Sequence, residues 1–186
     1  MEKVYIDCGS HNGDSVLEFL ENGSIFIKRP DTADYKIYAI EPNADFYNLN
    51  NKFKDKNVQI IEAAAWVYDG EIEFKNAAES LSSCVSKYTM QCFDEAFSER
   101  KIFPCFDLSQ FILNLSANYI VLKMDVESAE YDLIPKLIET KAISRINEIY
   151  VEFHHPGNQE YEKIKVNVMD YINVNHPSLK FFDNWP

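Results

Sequence analysis

The stretch of sequence that decides the fold reads Val4-Tyr5-Ile6-Asp7-Cys8-Gly9-Ser10-His11-Asn12-Gly13-Asp14-Ser15. An apolar run ends in an acid, turns through two of the chain's five glycines and opens a run of helical spacing. Glycine is needed where the backbone takes a positive φ or approaches a ligand closely. Nucleotide-like cofactors are cradled by such a strand, glycine turn and helix at a sheet edge. The stretch therefore predicts a cofactor site in the first loop.

The bulk composition limits the classes of function. The chain has 186 residues, and we expect one domain with a single core over residues 1–186. Its formal net charge is −12 and it has no basic run, so we expect no nucleic-acid partner. The apolar runs are too short to span a membrane, and the four cysteines lack metal-like spacing. We expect a cytoplasmic protein with reduced thiols and no membrane partner.

Apolar runs alternate with runs of helical spacing along the rest of the chain. The sequence predicts further strands at residues 35–40, 58–61, 119–124, 146–153 and 179–182. It predicts helices at residues 108–115 and 160–173. A further helix begins at residue 129 and is expected to kink or restart at Pro135. Another helix follows a cap at Asn43, with Phe46, Leu49 and Phe53 on one face. This alternation indicates an α/β fold, a mostly parallel sheet with helices on both faces.

Residues 76–104 have no clean period, and we expect them to be irregular with one helical turn at 93–97. Long irregular segments inside a compact domain are often functional. We therefore expect an insertion that forms a lid over the acceptor. Its hydroxyl-bearing and aromatic side chains suit sugar hydroxyls and ring faces; they are Ser82, Ser83, Tyr88 and Phe93.

Ligands of parallel sheets bind outside the carboxyl ends of the strands. Polar residues gather at those ends, in segments 7–13, 41, 62–65, 125–130 and 152–155. Glu41 ends the second strand, where a carboxylate can accept hydrogen bonds from a ribose diol. Asp7 ends the first strand and can meet a cofactor ammonium or stabilise the glycine turn. Gly9 and Gly13 do not complete the G-x-G-x-x-G pattern, which favours a cofactor without phosphates.

Two charged segments follow later strands. In the first, Lys123, Asp125 and Glu127 alternate and lie on one side while the strand lasts. Burying them is expensive unless they pair, so they either serve function or neutralise one another. In the second, Glu152-Phe153-His154-His155, a histidine can act as a general base near neutral pH or as a metal ligand.

Taken in order, these motifs resemble the FkbM family of S-adenosylmethionine-dependent methyltransferases. The resemblance extends from about residue 4 to about residue 155. It rests on Asp7-x-Gly9-x-x-x-Gly13-x-Ser15, Glu41-Pro42, Ala63-Ala64-Ala65 ahead of Asp69-Gly70, Lys123-x-Asp125-Val126-Glu127-x-x-Glu130, and Glu152-Phe153-His154. The chain departs from the family at Ser128, where glycine is usual, so the turn there is expected to be tighter or reshaped. Its first strand also begins almost at Met1, and the chain can be one domain of a longer protein.

The resemblance implies a class I methyltransferase fold, a Rossmann-like three-layer sandwich whose seven-stranded sheet ends in an antiparallel strand. It also implies S-adenosylmethionine as the cofactor. The positions implied to bind it are Asp7, Gly9, Ser10, Asn12, Gly13 and Ser15 at the methionine part, Glu41 and Pro42 at the ribose, Glu62, Ala63 and Ala64 at the adenine, and Asp125. Asp125, Glu127 and Glu130 are implied to face the reaction centre.

We therefore expect an O-methyltransferase that acts on a sugar, a glycan or a similar neutral hydroxylated molecule. The candidate catalytic residues are Asp125, His154, Glu127 and Lys123. A divalent cation such as Mg²⁺, held by Asp125 with Glu127 or Glu152, is an alternative way to lower the pKa of the acceptor hydroxyl. A nicotinamide-dependent oxidoreductase and a non-catalytic cofactor-binding domain remain as rival functions. The second would be favoured if the crevice carboxylates were paired off structurally.

Overall fold

The structure is a computed structural model that describes residues 2–23, 25–77, 83–85, 98–154 and 159–183. Its strands are β1 (Lys3–Cys8), β2 (Tyr35–Ile40), β3 (Val58–Ile61), β4 (Ala64–Trp66), β5 (Gly70–Ala77), β6 (Ser83–Val85), β7 (Ser98–Asp107), β8 (Tyr119–Met124), β9 (Glu148–Val151) and β10 (Lys180–Phe182). Its α-helices are α1 (Asp14–Leu20), α2 (Leu49–Lys52), α3 (Leu108–Asn114), α4 (Glu130–Glu139) and α5 (Gln159–Asn175), with short 3₁₀ turns at Thr32–Asp34 and Ala142–Arg145.

The central sheet has the strand order β10-β9-β8-β1-β2-β3, and every pairing in it is parallel. The α/β class and the parallel sheet predicted from the sequence are confirmed. The number of strands and the direction of the last are corrections, because the described residues give six strands and β10 runs parallel to β9. The reason is α5, a 17-residue crossover that returns the chain to the starting end of the sheet.

The two faces of this sheet pack against different layers because side chains alternate along each strand. Tyr5 and Val121 pack in a cluster with Phe19 of α1 and Leu49 of α2. The intervening positions, such as Ile6, pack in a larger cluster. That cluster includes Ile112 of α3, Leu133 of α4 and Val168 of α5. Strands covered on both faces are the expected setting for the near-continuous apolar runs seen in the sequence.

A second sheet of order β4-β7-β5-β6 follows β3. Strand β5 pairs antiparallel with β7 over eight residue pairs, from Gly70 opposite Cys105 to Ala77 opposite Ser98. The prediction of irregular structure is therefore wrong at residues 76–77, 83–85 and 98–104, which are strands. The exposed side chains of Lys101 and Ile102 follow each other on β7, which hides the alternation. The helical turn predicted at 93–97, together with Ser82, Tyr88 and Phe93, lies outside the described residues.

Two helix predictions need correction. Residues 42–48 form turns, and α2 begins only at Leu49, with Asn48 rather than Asn43 at the N-cap position. Phe46, predicted on a buried helical face, is 77% exposed. Helix α4 continues through Pro135, so the expected restart does not occur. Within the described part of the chain, no helix has both the length and the apolar character needed to cross a membrane.

A buried ion pair fixes the end of the sheet opposite the carboxyl ends of its strands. Glu148, at the start of β9, is 2% exposed and lies 2.6 Å from Nη2 of Arg29. The hydroxyl groups of Tyr119 and Tyr150 also donate hydrogen bonds to its carboxylate. Burial alone raises the pKa of Glu148, but the Tyr119 hydrogen bond and the Arg29 charge lower it overall. The network joins β8, β9 and the loop before β2.

We predict that Glu148→Gln destabilises the protein by about 3–5 kcal/mol at neutral pH, because Arg29 stays buried without its counter-charge. A lowered pKa means that the stabilisation is complete above the ordinary Glu pKa and is lost as pH falls through the lowered value. Urea unfolding at neutral and acidic pH measures both effects. Glu139→Gln, in an exposed pair with Lys136, is the control and should change little. Equal stability of wild type and Glu148→Gln at neutral pH would contradict the prediction.

Candidate functional site

The sheet register brings the predicted polar segments to one edge. Cys8, the last residue of β1, lies opposite Ile40 of β2 and Met124 of β8, and Met124 lies opposite Val151 of β9. The residues that follow these four strands therefore share the carboxyl edge of the sheet. The strand order reverses between β1 and β8, which is the switch point where such sheets bind ligands.

The glycines of the first loop allow close packing of the protein against itself. Gly9 has φ of 77°, and a Cβ there would lie 1.8 Å from the backbone oxygen of Asp125. Gly13 has φ of 81°, and its Cβ would lie 2.5 Å from a ring carbon of Phe53. Gly9 therefore lets the first loop lie directly on the turn after β8, which brings the two motifs together.

Asp7 and Lys123 form a buried ion pair beneath this loop. The two side chains are 0% and 2% exposed, and Lys123 Nζ lies 3.1 Å from Asp7 Oδ1. The same ammonium donates a hydrogen bond of 2.9 Å to the Gly9 carbonyl and lies 3.6 Å from Asp125 Oδ2. Burial lowers the pKa of Lys123, but the charges of Asp7 and Asp125 outweigh it and raise the pKa. Of the two roles predicted for Asp7, the contacts favour stabilising the glycine turn.

A cavity of about 260 Å³ opens at this edge. It is lined by Gly9, His11, Ile40, Glu41, Pro42, Tyr47, Ala64, Ala65, Phe74, Asp125, Val126 and Glu127. The Glu41 side chain is fixed, because the backbone N–H groups of His11 and Asn43 donate to its two carboxylate oxygens at 3.0 and 2.9 Å. Burial raises the pKa of Glu41, and these two hydrogen bonds offset only part of that rise.

The other predicted cofactor residues do not line this cavity. Ser10 and Ser15 donate their hydroxyl groups to the backbone oxygen and the carboxylate of Asp7. Asn12 bonds to Asp14, Ala63 is half-buried, Glu62 is exposed and accepts a hydrogen bond from Asn50, and Gly13 packs on Phe53. The hydrogen bonds of Ser10, Ser15 and Asn12 therefore support the loop that carries Gly9.

Sequence reasoning missed several lining residues. The His11 ring packs against that of Tyr47 with centroids 4.4 Å apart, and Phe74 reaches the cavity from β5. His11 lies between Gly9 and Gly13, so its position in the sequence could have identified it as a lining residue. Tyr47 and Phe74 could not be found this way, because they come from a segment predicted to be helical and from a second sheet.

His154 lies among four carboxylates. Its Nδ1 is 3.2 Å from Oε1 of Glu130, a side chain that is 0% exposed. Its Nε2 lies 3.7 Å from Asp125 Oδ1 and 3.6 Å from both Glu127 Oε2 and Glu152 Oε1. Three of the residues predicted for catalysis and all three predicted for a metal therefore meet at one point. His155 lies outside the described residues.

The pKa of His154 lies above the ordinary histidine value that the sequence analysis assumed. Burial lowers the pKa of this imidazole, but the hydrogen bond and charge of Glu130, with the charges of Glu127 and Asp125, raise it to about 9. The raised pKa favours the protonated ring near neutral pH. This direction weighs against a histidine base working near neutral pH, and the role expected for His154 stays a prediction.

The turn that presents these acids is strained. Glu127 and Ser128 have φ of 51° and 80°, a backbone conformation that residues other than glycine rarely adopt. Ser128 is fully buried, so serine here holds a conformation that glycine reaches at lower cost. The turn lets Glu130 Oε1 accept a hydrogen bond from the Val126 N–H at 3.0 Å, at the start of α4.

The parallel strand order and the cavity at the switch point define a Rossmann-like α/β protein with its ligand site at the carboxyl edge of the sheet. The family model described as the methyltransferase FkbM domain matches residues 7–176. The chain therefore belongs to the FkbM methyltransferase family, as the motifs indicated. A search of the curated proteins found no match.

We predict that Gly9→Ala destabilises the protein by at least about 1–3 kcal/mol, because the new Cβ meets a backbone oxygen in an already positive-φ position. Gly23→Ala is the matched control, since its Cβ would meet only the flexible end of Glu18. Thermal unfolding of both variants by circular dichroism provides the comparison. Equal melting temperatures would mean that the first loop does not need this close contact.

Proposed function

We propose that the protein transfers a methyl group from S-adenosylmethionine to a hydroxyl group of a sugar or a similar hydroxylated small molecule. The observation that carries the proposal is that one cavity has the fixed carboxylate of Glu41 and the acids Asp125 and Glu127 in its walls. Glu41 follows β2 and Asp125 follows β8, two strands apart, which separates their backbones by about 10 Å. A cofactor can therefore bind at the first acid with its reactive end toward the second.

The cavity walls suit the adenosine part of this cofactor. Each oxygen of Glu41 accepts one backbone hydrogen bond and keeps a further lone pair for a ribose hydroxyl. Ile40, Ala65 and Phe74 offer apolar surface for a purine. When bound, S-adenosylmethionine supplies an electrophilic methyl group on a positively charged sulfur. Asp125 and Glu127 place negative charge in the same cavity, which favours a cation.

The acidic edge suits an alcohol acceptor. An alcohol is a poor nucleophile, so its proton must leave as its oxygen attacks. Asp125, Glu127 and Glu152 are partly exposed carboxylates that can take this proton. Burial and the charge of Asp125 raise the pKa of Glu152, which makes it a stronger base than an ordinary glutamate. The raised pKa of His154 favours its protonated form, so we assign the proton transfer to the acids around it.

A neutral acceptor fits the rest of the molecule. The net charge of −12 disfavours nucleic acid. Phe74 brings β5 of the second sheet to the cavity, so this sheet stands beside the cofactor site. The side chains of Cys8 and Cys105 are free thiols, in keeping with the proposed cytoplasmic location.

The two rival functions have less support. Family membership and the incomplete glycine pattern speak against a nicotinamide-dependent oxidoreductase. A non-catalytic domain would need its crevice acids paired off, and Asp7 is paired with Lys123. Asp125 and Glu127, in contrast, are partly exposed and line the cavity, where a ligand can reach them.

The proposed function is tested by incubating the purified protein with a pool of candidate glycans and isotopically labelled S-adenosylmethionine. Mass spectrometry should find the label in a hydroxyl-bearing product. Calorimetry should show binding of S-adenosylmethionine and none of NAD. Preferential labelling of RNA, DNA or protein would overturn the acceptor assignment, and no labelling with intact cofactor binding would favour the non-catalytic domain.

For the cofactor site, we predict that Glu41→Gln weakens binding of S-adenosylmethionine by about 1.5–3 kcal/mol, the worth of hydrogen bonds to a charged group. The amide keeps the size of the side chain but replaces one acceptor oxygen with a donor. Isothermal titration calorimetry measures the loss. Glu73→Gln, in an exposed ion pair on the second sheet, serves as the control. Unchanged affinity in Glu41→Gln would refute the ribose assignment.

For the acidic edge, we predict that Asp125→Asn lowers turnover by about 10²-fold or more, while the protein still folds and still binds the cofactor. Asp125 is 30% exposed and lines the cavity, so the amide fits without burying a new polar group. Turnover per folded molecule is the quantity to measure. An unfolded variant with normal specific activity would show a structural role instead.

A further inference from the structure

We propose that Asp125, Glu127 and His154 bind one divalent metal ion, with His154 as a ligand through Nε2. One ligand atom from each residue lies within 4.8 Å of the others, and His154 Nε2 is 3.6–3.7 Å from the nearest carboxylate oxygens. Donors that each stand about 2.0–2.2 Å from a metal ion are separated by about 3–4 Å. The three side chains need only small movements to close on an ion.

The orientation of His154 is the observation that separates this cluster from an ordinary group of acids. Metal-bound histidines usually donate their second ring N–H to a carboxylate, which fixes the ring and its tautomer. Glu130 provides this partner at 3.2 Å from Nδ1 and is fully buried. Burying a carboxylate is costly, and holding one imidazole in place gives it a purpose. The contact leaves Nε2 directed at Asp125 and Glu127.

The donor set narrows the choice of metal. Carboxylates suit Mg²⁺, Ca²⁺ and Mn²⁺, whereas imidazole suits Zn²⁺ and other transition metals. Two carboxylates with one imidazole combine both preferences, so the site favours Mn²⁺ or a similar transition metal over Mg²⁺. This differs from the set expected from the sequence, in which Glu152 stood in the place of His154. His154 binds the ion as a neutral imidazole, so Nε2 carries no proton in the metal-bound form.

The position of the ion suggests its role, which rests on the proposed function. Asp125 and Glu127 line the cofactor cavity, so an ion between them stands at its wall. An acceptor hydroxyl bound to the ion has a lower pKa. The hydroxyl oxygen then forms its bond to the methyl carbon, the electron pair of the broken C–S bond stays on sulfur, and the hydroxyl proton passes to Glu152.

The metal site is tested without cofactor or acceptor, using the purified chain treated with a chelator and then titrated with Mn²⁺ alone. Calorimetry and electron paramagnetic resonance should show one Mn²⁺ per chain. Binding should weaken at least tenfold in Asp125→Asn and His154→Gln, and about 10–100-fold in Glu130→Gln, which loses the orienting carboxylate. His176→Gln, at the end of α5, is the histidine control and should bind as wild type does.

A pulsed resonance experiment adds a readout that a structural role would not change. Nitrogen coupling to bound Mn²⁺ should be present in wild type and absent in His154→Gln. Circular dichroism confirms that each variant is folded. Lack of Mn²⁺ binding, or equal affinity and coupling in His154→Gln, overturns the metal site. Because binding of S-adenosylmethionine is measured separately in metal-free protein, that outcome leaves the proposed function standing, and Mn²⁺ binding without methyl transfer overturns only the role.

Discussion

The buried ion pair between Lys123 and Asp7 is the interaction on which the rest of the site depends. The Lys123 ammonium also bonds to the Gly9 carbonyl and approaches Asp125, so one charge connects β1, the first loop and the turn after β8. Removing one partner of such a pair leaves an uncompensated buried charge, which is strongly destabilising. The pair and the missing Cβ of Gly9 together hold the loop against the backbone of Asp125. The cavity exists because these two segments meet there.

The carboxyl edge of the sheet gathers negative charge around the cavity. Asp125, Glu127, Glu130 and Glu152 come from two segments and converge on His154. Charges gathered in a cleft with low-dielectric walls act over several ångströms and concentrate cations. A sulfonium cofactor and a metal ion both satisfy this field, whereas a phosphate-rich ligand opposes it. The same electrostatics therefore supports both the proposed cofactor and the proposed metal.

Much of the sheet could be predicted because its determinants are local. The apolar runs of β1, β2 and β8 and the glycine turn after Cys8 are visible in a few residues, and the rule about strand ends then selects Glu41 and Asp125. The second sheet was missed because β5 and β7 pair across some thirty residues and β7 does not alternate cleanly. The raised pKa of His154 could not be predicted, because its causes are acids 24 to 29 positions earlier, which only the fold brings close.

Exposure separates the acids of this edge into two groups. Asp7 and Glu130 are 0% exposed, and each is committed to a partner inside the protein, Lys123 or His154. Asp125, Glu127 and Glu152 are 30%, 20% and 37% exposed and face one shared imidazole. A buried carboxylate must be satisfied by the fold, whereas a partly exposed one keeps lone pairs for a ligand. Sequence spacing alone cannot separate these five acids, because each ends or follows a strand of the same sheet or opens the next helix. Burial therefore indicates that the first group builds the site, and the proposed function gives the second group its chemistry.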